Sequence, residues 1–561
     1  MKRKAVGSLE SPTREIKMPK ISVEKEKKYD RQLRLWGDHG QLALEKAKIC
    51  LINASATGTE ILKNLILPGM GSFTIIDGNK VSGEDIGNNF FLEKDSLGKS
   101  RAECATEFLL ELNADVSGDF IEEAPERLLE NNKEFFKSFA VVIATQLHRS
   151  VLLKLAEVLW TYDVPLLVCR SYGFIGYMRL VVREHTVVES HPDSAHEDLR
   201  LDRPFRGLKD YVDGLDFDAM SKEEHTHVPC IAILLKYLTK WKMEHNNLPP
   251  QNYKEKDLFK KMIRQGIRVR QHGIPEEEEN FDEAIKSVNK AFVPTKIPSE
   301  VTKIFQEADC STKIIDSSSS FWILARAVKE FVENEGQGAL PLRGSIPDMT
   351  ADSKSYILLQ NIYQEQAKQD VAAVTQRVHS ILSSIGKSAD SIPENEIKIF
   401  CRNAYFLQVV RCRSLAEEYN PSTANTSEIG SNLEDPDSDV VFYVLMRAVD
   451  QFYSQYHRFP GHFDDQVEAD VVKLRSCVSS LLQEWALATN IKSEYIHEMC
   501  RYGASEIHPV AAFIGAAHSC GGFARTLSVT PSFHFPYIDS LVHKARGCKV
   551  SCFKGLFKRV L

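Results

Sequence analysis

The segment KICLINASATGTEILKNLILPGMGSFTIIDG, Lys48 to Gly78, constrains this chain more than any other. A short apolar run, a tight turn, a helical period and a second apolar run ending in an acid make a βαβ unit. In nucleotide-binding sheets that frame holds phosphate over its first turn. The crossover commits its strands to a parallel sheet covered by helices on both faces. In a phosphate-binding turn each glycine serves a separate purpose. One permits the tight turn, one lets the backbone approach phosphate, and one lets helix and strand pack closely. Here Asn53, Ala54, Ser55, Ala56 and Thr57 fill most of the turn, and only Gly58 remains, at the packing position. Side chains at Ser55 and Ala56 crowd a phosphate and resist positive φ. The expectation is a fold that survives and a phosphate site that does not. Asp77, after the second run, stands where an acid can hold a ribose; a solvated strand-end aspartate is the equal alternative.

The frame extends along residues 28–185. KICLINA, SFTIIDG, FAVVIATQ and VPLLVCRS read as strands buried on both faces, and GYMRLVVRE closes the block. Helical periods lie between them: TEILKNLI, KSRAECATEFLLELN and SVLLKLAEVLWTYD. This is α/β architecture, a parallel sheet with covering helices. From 186 to 503 long helical periods dominate, separated by GIPEEEENF, SIPDMTADS and NPSTANTSEIGSNLEDPDSD, and this stretch is read as one helical inserted domain. Residues 504–517 form a return helix, 518–561 an atypical tail, and 1–27 a disordered tail. At 561 residues two or more domains are expected. A net charge of −7 argues against a dominant nucleic-acid surface. No apolar run approaches the length of a transmembrane segment. The twelve cysteines include no CxxC pair, which removes support for a four-thiolate zinc and suits a reducing compartment.

The stretch KYDRQLRLWGDHGQLALEKAKICLINASATGTEILKNLILPGMGSFTIIDGNKVSGEDIGNNFFL resembles the opening of the adenylation domain of ubiquitin-like-modifier-activating enzymes. These are relatives of the ThiF/MoeB-like adenylyltransferases of the thiamine and molybdopterin pathways. The likeness runs from about Lys28 to Ala517, through ESHPDSAHEDLRLDRPF, SFWILARAVKEFV and RYGASEIHPVAAFIG. Within the family it is to the regulatory, non-catalytic subunits of the neddylation-type enzymes, also known as amyloid-precursor-protein-binding proteins. The resemblance implies a Rossmann-like adenylation fold interrupted by a large helical insert. It implies a heterodimer in which a catalytic partner subunit binds ATP, magnesium and the ubiquitin-like modifier and forms the thioester, upstream of cullin neddylation. This chain would bind no cofactor alone. Its departures from the active pattern agree. Asn89 in GNNFF stands at an arginine position, Arg101 at that of a phosphate-meeting lysine, and Thr145 and Gln146 near that of a magnesium-binding aspartate.

One functional element is kept. Arg31 matches a family arginine that crosses the dimer interface to the partner's ATP, an always-charged fork suited to phosphate oxygens; a surface arginine beside Arg34 is the alternative. The resemblance also places a partner-binding segment at DMTADSKSYILLQN, with Asp348, Met349, Asp352, Lys354, Tyr356, Ile357, Leu359, Gln360 and Asn361 as contacts; a helix packed only within its own domain is the alternative.

Other signals are discounted. Cys230 follows Pro229 at a helix start, but Ile231 replaces the family's threonine, and a buried structural cysteine is expected. His225 and His227 are read as solvated loop histidines, GIPEEEENF as a solvated helix start, and Cys548 and Cys552 as lacking metal partners. A SUMO-type regulatory subunit is disfavoured by the long insert, a nicotinamide-dependent oxidoreductase by the missing glycines; a pure adaptor remains a third reading. The expected location is cytoplasmic and, through the weak KRK signal, nuclear. The family's other name suggests contact with a membrane receptor tail and peripheral membrane association. Past HPVAAFIGAA the chain departs from the family ending. Gly521, Gly522, Pro531 and Pro536 predict that residues from His518 onward do not restore the missing strands.

Overall fold

The computed structural model describes residues 23–188, 197–270, 274–312, 314–435 and 438–517. They form two compact units. Among the described residues, one contains 23–183 together with those of 411–517, and the other those of 184–410.

The first unit is built on six strands: β1 Lys48–Ile52, β2 Ser72–Ile76, β3 Ser117–Ile121, β4 Val141–Thr145, β5 Leu166–Tyr172 and β6 Ile175–Val181. Their order is β3-β2-β1-β4-β5-β6, with β1 to β5 parallel and β6 returning antiparallel along β5. Four of the five apolar runs became the interior strands, and GYMRLVVRE became the antiparallel edge. β3 was not expected. It is half-exposed, reads SGDFI and lacks the apolar run that buried strands show. Gly118 is required there, because a Cβ would sit 2.5 Å from the Phe73 ring.

Alternation along β1 explains what covers the sheet. Ile49 and Leu51 face one core with Ile61, Leu65, Ala105 and Ile514, whereas Cys50 and Ile52 face another with Leu155, Tyr443, Phe452, Leu474 and Met499. A strand buried on both faces needs a layer on each. The second layer includes the helices Val440–Tyr456, Val467–Glu484 and Ser493–Tyr502. Their periodicity alone groups them with the helical insert, but they pack with the sheet, and the buried Arg170–Asp450 pair at 2.8 Å ties β5 to them. The segment apart from the sheet is therefore Glu184–Val410 rather than 186–503. Residues 23–27, expected within a disordered tail, are instead part of the helix Val23–Lys28, where Lys25 pairs with Glu45 at 2.9 Å.

The second unit starts and ends on a two-stranded antiparallel pair, β7 His185–Val187 with β8 Gln408–Val410, so its entry and exit lie side by side. Its longest helix, Ser353–Ser384, serves two cores. Leu359 and Tyr363 join Phe259 and Phe281, while Val374, Val378 and Leu382 join Phe321 and Phe400. Among the described residues no helix is long and apolar enough to cross a membrane.

Candidate functional site

The strand order reverses between β1 and β4, and in such sheets ligands sit beyond the strand ends at that point. The turn Asn53–Thr57 lies there and is fully formed without its glycines. Asn53 takes φ +68°, the left-handed region that the first glycine would supply. It is held by its N–H on the Ile76 carbonyl and by Nδ2 on the Thr145 carbonyl at 2.8 Å. Ser55 is the N-cap of the helix Ala56–Ile66, its hydroxyl accepting from the Gly58 N–H. Gly58 keeps its packing role, because a Cβ there would lie 2.6 Å from the Asn53 carbonyl oxygen.

What differs from a phosphate cradle is where the donors point. The Ala54 N–H donates to Asp77 Oδ2 at 2.8 Å. The Thr57 N–H and hydroxyl both donate to Glu506 Oε1, at 3.2 and 2.6 Å. Arg101 donates through Nε to Asp77 at 2.6 Å and through a terminal nitrogen to Asp85 at 2.9 Å. Asp77 is fully buried and also accepts the Asn79 N–H at 2.9 Å. It is neither a solvated strand end nor open to a ribose. Asn89 is buried beneath the turn, donating to the Ala54 carbonyl and accepting from Thr59 at 2.9 Å. Thr145 is buried too, with its hydroxyl on the Asn53 carbonyl at 2.8 Å, and Gln146 donates to the Ser171 carbonyl. Burial pushes the Glu506 carboxyl above its ordinary value, against donation from Thr57 and Ser55 and the nearby charge of Arg101. Together these groups do not fit a bound nucleotide phosphate.

Glu506 was missed by sequence reasoning. It lies 449 residues from Thr57, and the only hint was an acid just before the return helix His508–Ala517. That helix packs along Ala56–Ile66, with Gly515 against the Glu60 carbonyl.

Arg31 is exposed on the helix Asp30–Lys46 and makes no hydrogen bond or ion pair among the described residues, while Arg34 pairs with Asp30 at 3.1 Å. The helix is anchored just before it. Tyr29 is buried, donates to Asp115 at 2.9 Å and accepts from Asn113, and Lys28 pairs with Asp115 at 2.7 Å.

In the segment expected to meet a partner, Asp348, Asp352, Lys354, Ile357 and Asn361 are exposed, and Tyr356 and Gln360 are half-buried. Leu359 is fully buried in its own unit, and Met349 is partly buried against the same core with its sulfur 4.0 Å from Cys230 Sγ. Asp352 is the N-cap of Ser353–Ser384, and the Ser355 N–H holds its carboxyl below the ordinary range. Cys230 is buried, and burial pushes its thiol up to about 12, the state of an inert cysteine. His225 is not solvated: it is buried with Nδ1 2.8 Å from Glu278 Oε1 and stacked on Phe281. Glu278 is buried as well, so GIPEEEENF is only partly a solvated run. Among the described residues no group of three or more His, Cys, Asp or Glu is placed to hold a metal. Cys548, Cys552 and the expectation for residues from His518 onward lie outside the described residues.

The ThiF family model matches residues 29–329. The NEDD8-activating enzyme E1 regulatory subunit of Gallus gallus is 58% identical over 493 residues, covering 88% of this chain and 92% of the relative. The subunit of the same name from Danio rerio is 58% identical over 499 residues, covering 89% and 93%, and that from Drosophila melanogaster is 42% identical over 506 residues, covering 89% and 92%.

Proposed function

The chain belongs to the ThiF family and, within it, to the NEDD8-activating enzyme E1 regulatory subunits, and from that premise we infer how it works. It is the non-catalytic subunit of a heterodimeric activating enzyme. It supports ATP-dependent adenylation of the modifier and thioester formation, upstream of neddylation. The observation that carries this assignment is the relation to the named subunits over nearly the whole length of both chains. The turn agrees with it: the frame of an adenylating sheet is intact, and its donors are committed to Asp77 and Glu506.

In this reading ATP and magnesium are held by the catalytic partner. Arg31 supplies a charged fork toward the partner's nucleotide, on a helix fixed by Tyr29 and Asp115. The start of Ser353–Ser384, with Ile357 and Leu358 about half exposed, offers an apolar contact to the same partner. Reconstitution tests the assignment. The chain alone is expected to show no ATP–pyrophosphate exchange. Mixed with the catalytic subunit, it is expected to give modifier adenylate and then a thioester carried on the partner. Micromolar ATP binding by the isolated chain, or thioester formed on this chain, contradicts the reading.

A further inference from the structure

Glu506 sits where the fold would place a phosphate. Its carboxylate takes the Thr57 N–H and hydroxyl at the first turn of Ala56–Ile66. The N–H groups there lack partners within the helix and carry partial positive charge. The main chain around it is fixed independently: Gly173 N–H donates to the Ser505 carbonyl at 2.8 Å, and Asn88 Nδ2 donates to the Glu506 carbonyl at 3.2 Å. Arg101 is engaged by Asp77 and Asp85 and also acts on Glu506 through its charge. One guanidinium therefore pairs with two carboxylates and lends charge to a third.

Two physical accounts of the turn are open: a backbone collapsed by the loss of its glycines, or an anion already in it. The backbone decides between them. Asn53 adopts the left-handed conformation, Ser55 caps the helix, and Gly58 keeps helix and strand close, with no room for a Cβ against the Asn53 carbonyl. The cradle has kept its shape. We propose that Glu506 is an intrinsic anion occupying the phosphate position of this turn, so that nucleotide is excluded by occupancy and charge and not by a collapsed backbone. The same contact latches the segment before the return helix onto the turn, so the start of the fold is closed by a residue near its end. The contact lies within this chain and needs no partner.

Inorganic pyrophosphate is the probe, titrated into the full chain without partner, with amide hydrogen exchange read across residues 53–60. The native chain is expected to give no protection there. Glu506→Ala removes the carboxylate and is expected to bind pyrophosphate at least about tenfold more tightly, as a charge-assisted donor set regained would allow, with slowed exchange at the turn. Glu506→Gln preserves the shape and an acceptor for Thr57 while removing the charge. It is expected to stay folded and to gain severalfold, and it is the test if the alanine chain does not fold. A folded Glu506→Ala chain with no gain overturns the proposal. So does an unchanged Glu506→Gln chain, or a native chain that already binds pyrophosphate at this turn.

Discussion

Arg31 and Arg34 are neighbours on one helix and differ in one respect: Arg34 is engaged by Asp30, and Arg31 is not. A guanidinium held in solvent at the start of a helix, two residues after the anchored Tyr29, sits on a fixed backbone when it meets an anion. Arg31→Ala is therefore expected to leave heterodimer assembly intact and to weaken ATP use by the complex about tenfold or more, the worth of a charge-assisted hydrogen bond of roughly 1.5–3 kcal/mol. Pyrophosphate exchange across an ATP titration measures it, and unchanged kinetics remove the role. Cys230 gives the converse prediction. Its thiol is buried against Met349 with its pKa pushed up to about 12, so Cys230→Ser should leave thioester yield intact and cost only stability. At this scale the sequence showed which residues were missing from the turn but not what had replaced the ligand. Glycine loss is visible at positions 53–57. The carboxylate that fills the site comes from position 506 and becomes a neighbour only when the chain returns. His225 and Glu278 were misread for a related reason: each looks like a surface residue until the other supplies its hydrogen-bond partner inside the core.

At the scale of elements, interior strands were legible because both faces are buried and the runs are continuously apolar. β3 was not, because a half-exposed edge strand with Gly118 under Phe73 carries no such run. The return helix was legible as apolar, but its packing was not. Gly515 lets it approach Ala56–Ile66, and a Cβ at that position would lie 2.9 Å from the Glu60 carbonyl oxygen. Gly515→Leu is expected to destabilise the sheet unit by about 1–3 kcal/mol, the usual cost of overpacking, read as a lower denaturant midpoint with an unchanged slope. The start of Ser353–Ser384 shows the same limit. Leu358 and Leu359 are adjacent in sequence, yet Leu358 is 48% exposed and Leu359 fully buried. Ile357→Asp with Leu358→Asp should leave the chain's melting temperature unchanged and weaken association with the catalytic subunit about tenfold or more, since each apolar side chain buried is worth roughly 1.5–3 kcal/mol. Undiminished affinity by calorimetry would assign this face to solvent.

At the scale of the molecule, the boundary at Arg411 was hidden because helices that cover a sheet and helices that form a separate unit share one periodicity. Two units with separate cores are expected to unfold in more than one calorimetric transition. In the sheet unit two carboxylates tilt the pH response in opposite directions. Asp470 is fully buried, and burial alone would raise its pKa. The Arg458 fork, the Gly461 N–H and Lys473 outweigh burial and hold it below its ordinary 3.8. Its contribution is complete above the unfolded value and is lost as pH falls through the lower folded one. Glu506 runs the other way. Its folded pKa is raised above 4.5, so the folded state binds its proton more tightly than the unfolded chain does. That stability is present in full below the unfolded value and drains away as pH rises through the folded one. Relative to a chain without that carboxyl, the sheet unit should therefore gain stability as pH is lowered from neutral toward the ordinary carboxylate range, while the loss at Asp470 sets in below it. Glu506→Gln should flatten the upper limb alone. Asp470→Asn, which leaves Arg458 without its partner, should flatten the lower limb and cost about 3 kcal/mol at neutral pH. Scanning calorimetry of the three chains between acid and neutral pH measures both limbs, and an upper limb unchanged by Glu506→Gln would show that the carboxylate at the turn carries no titrating charge.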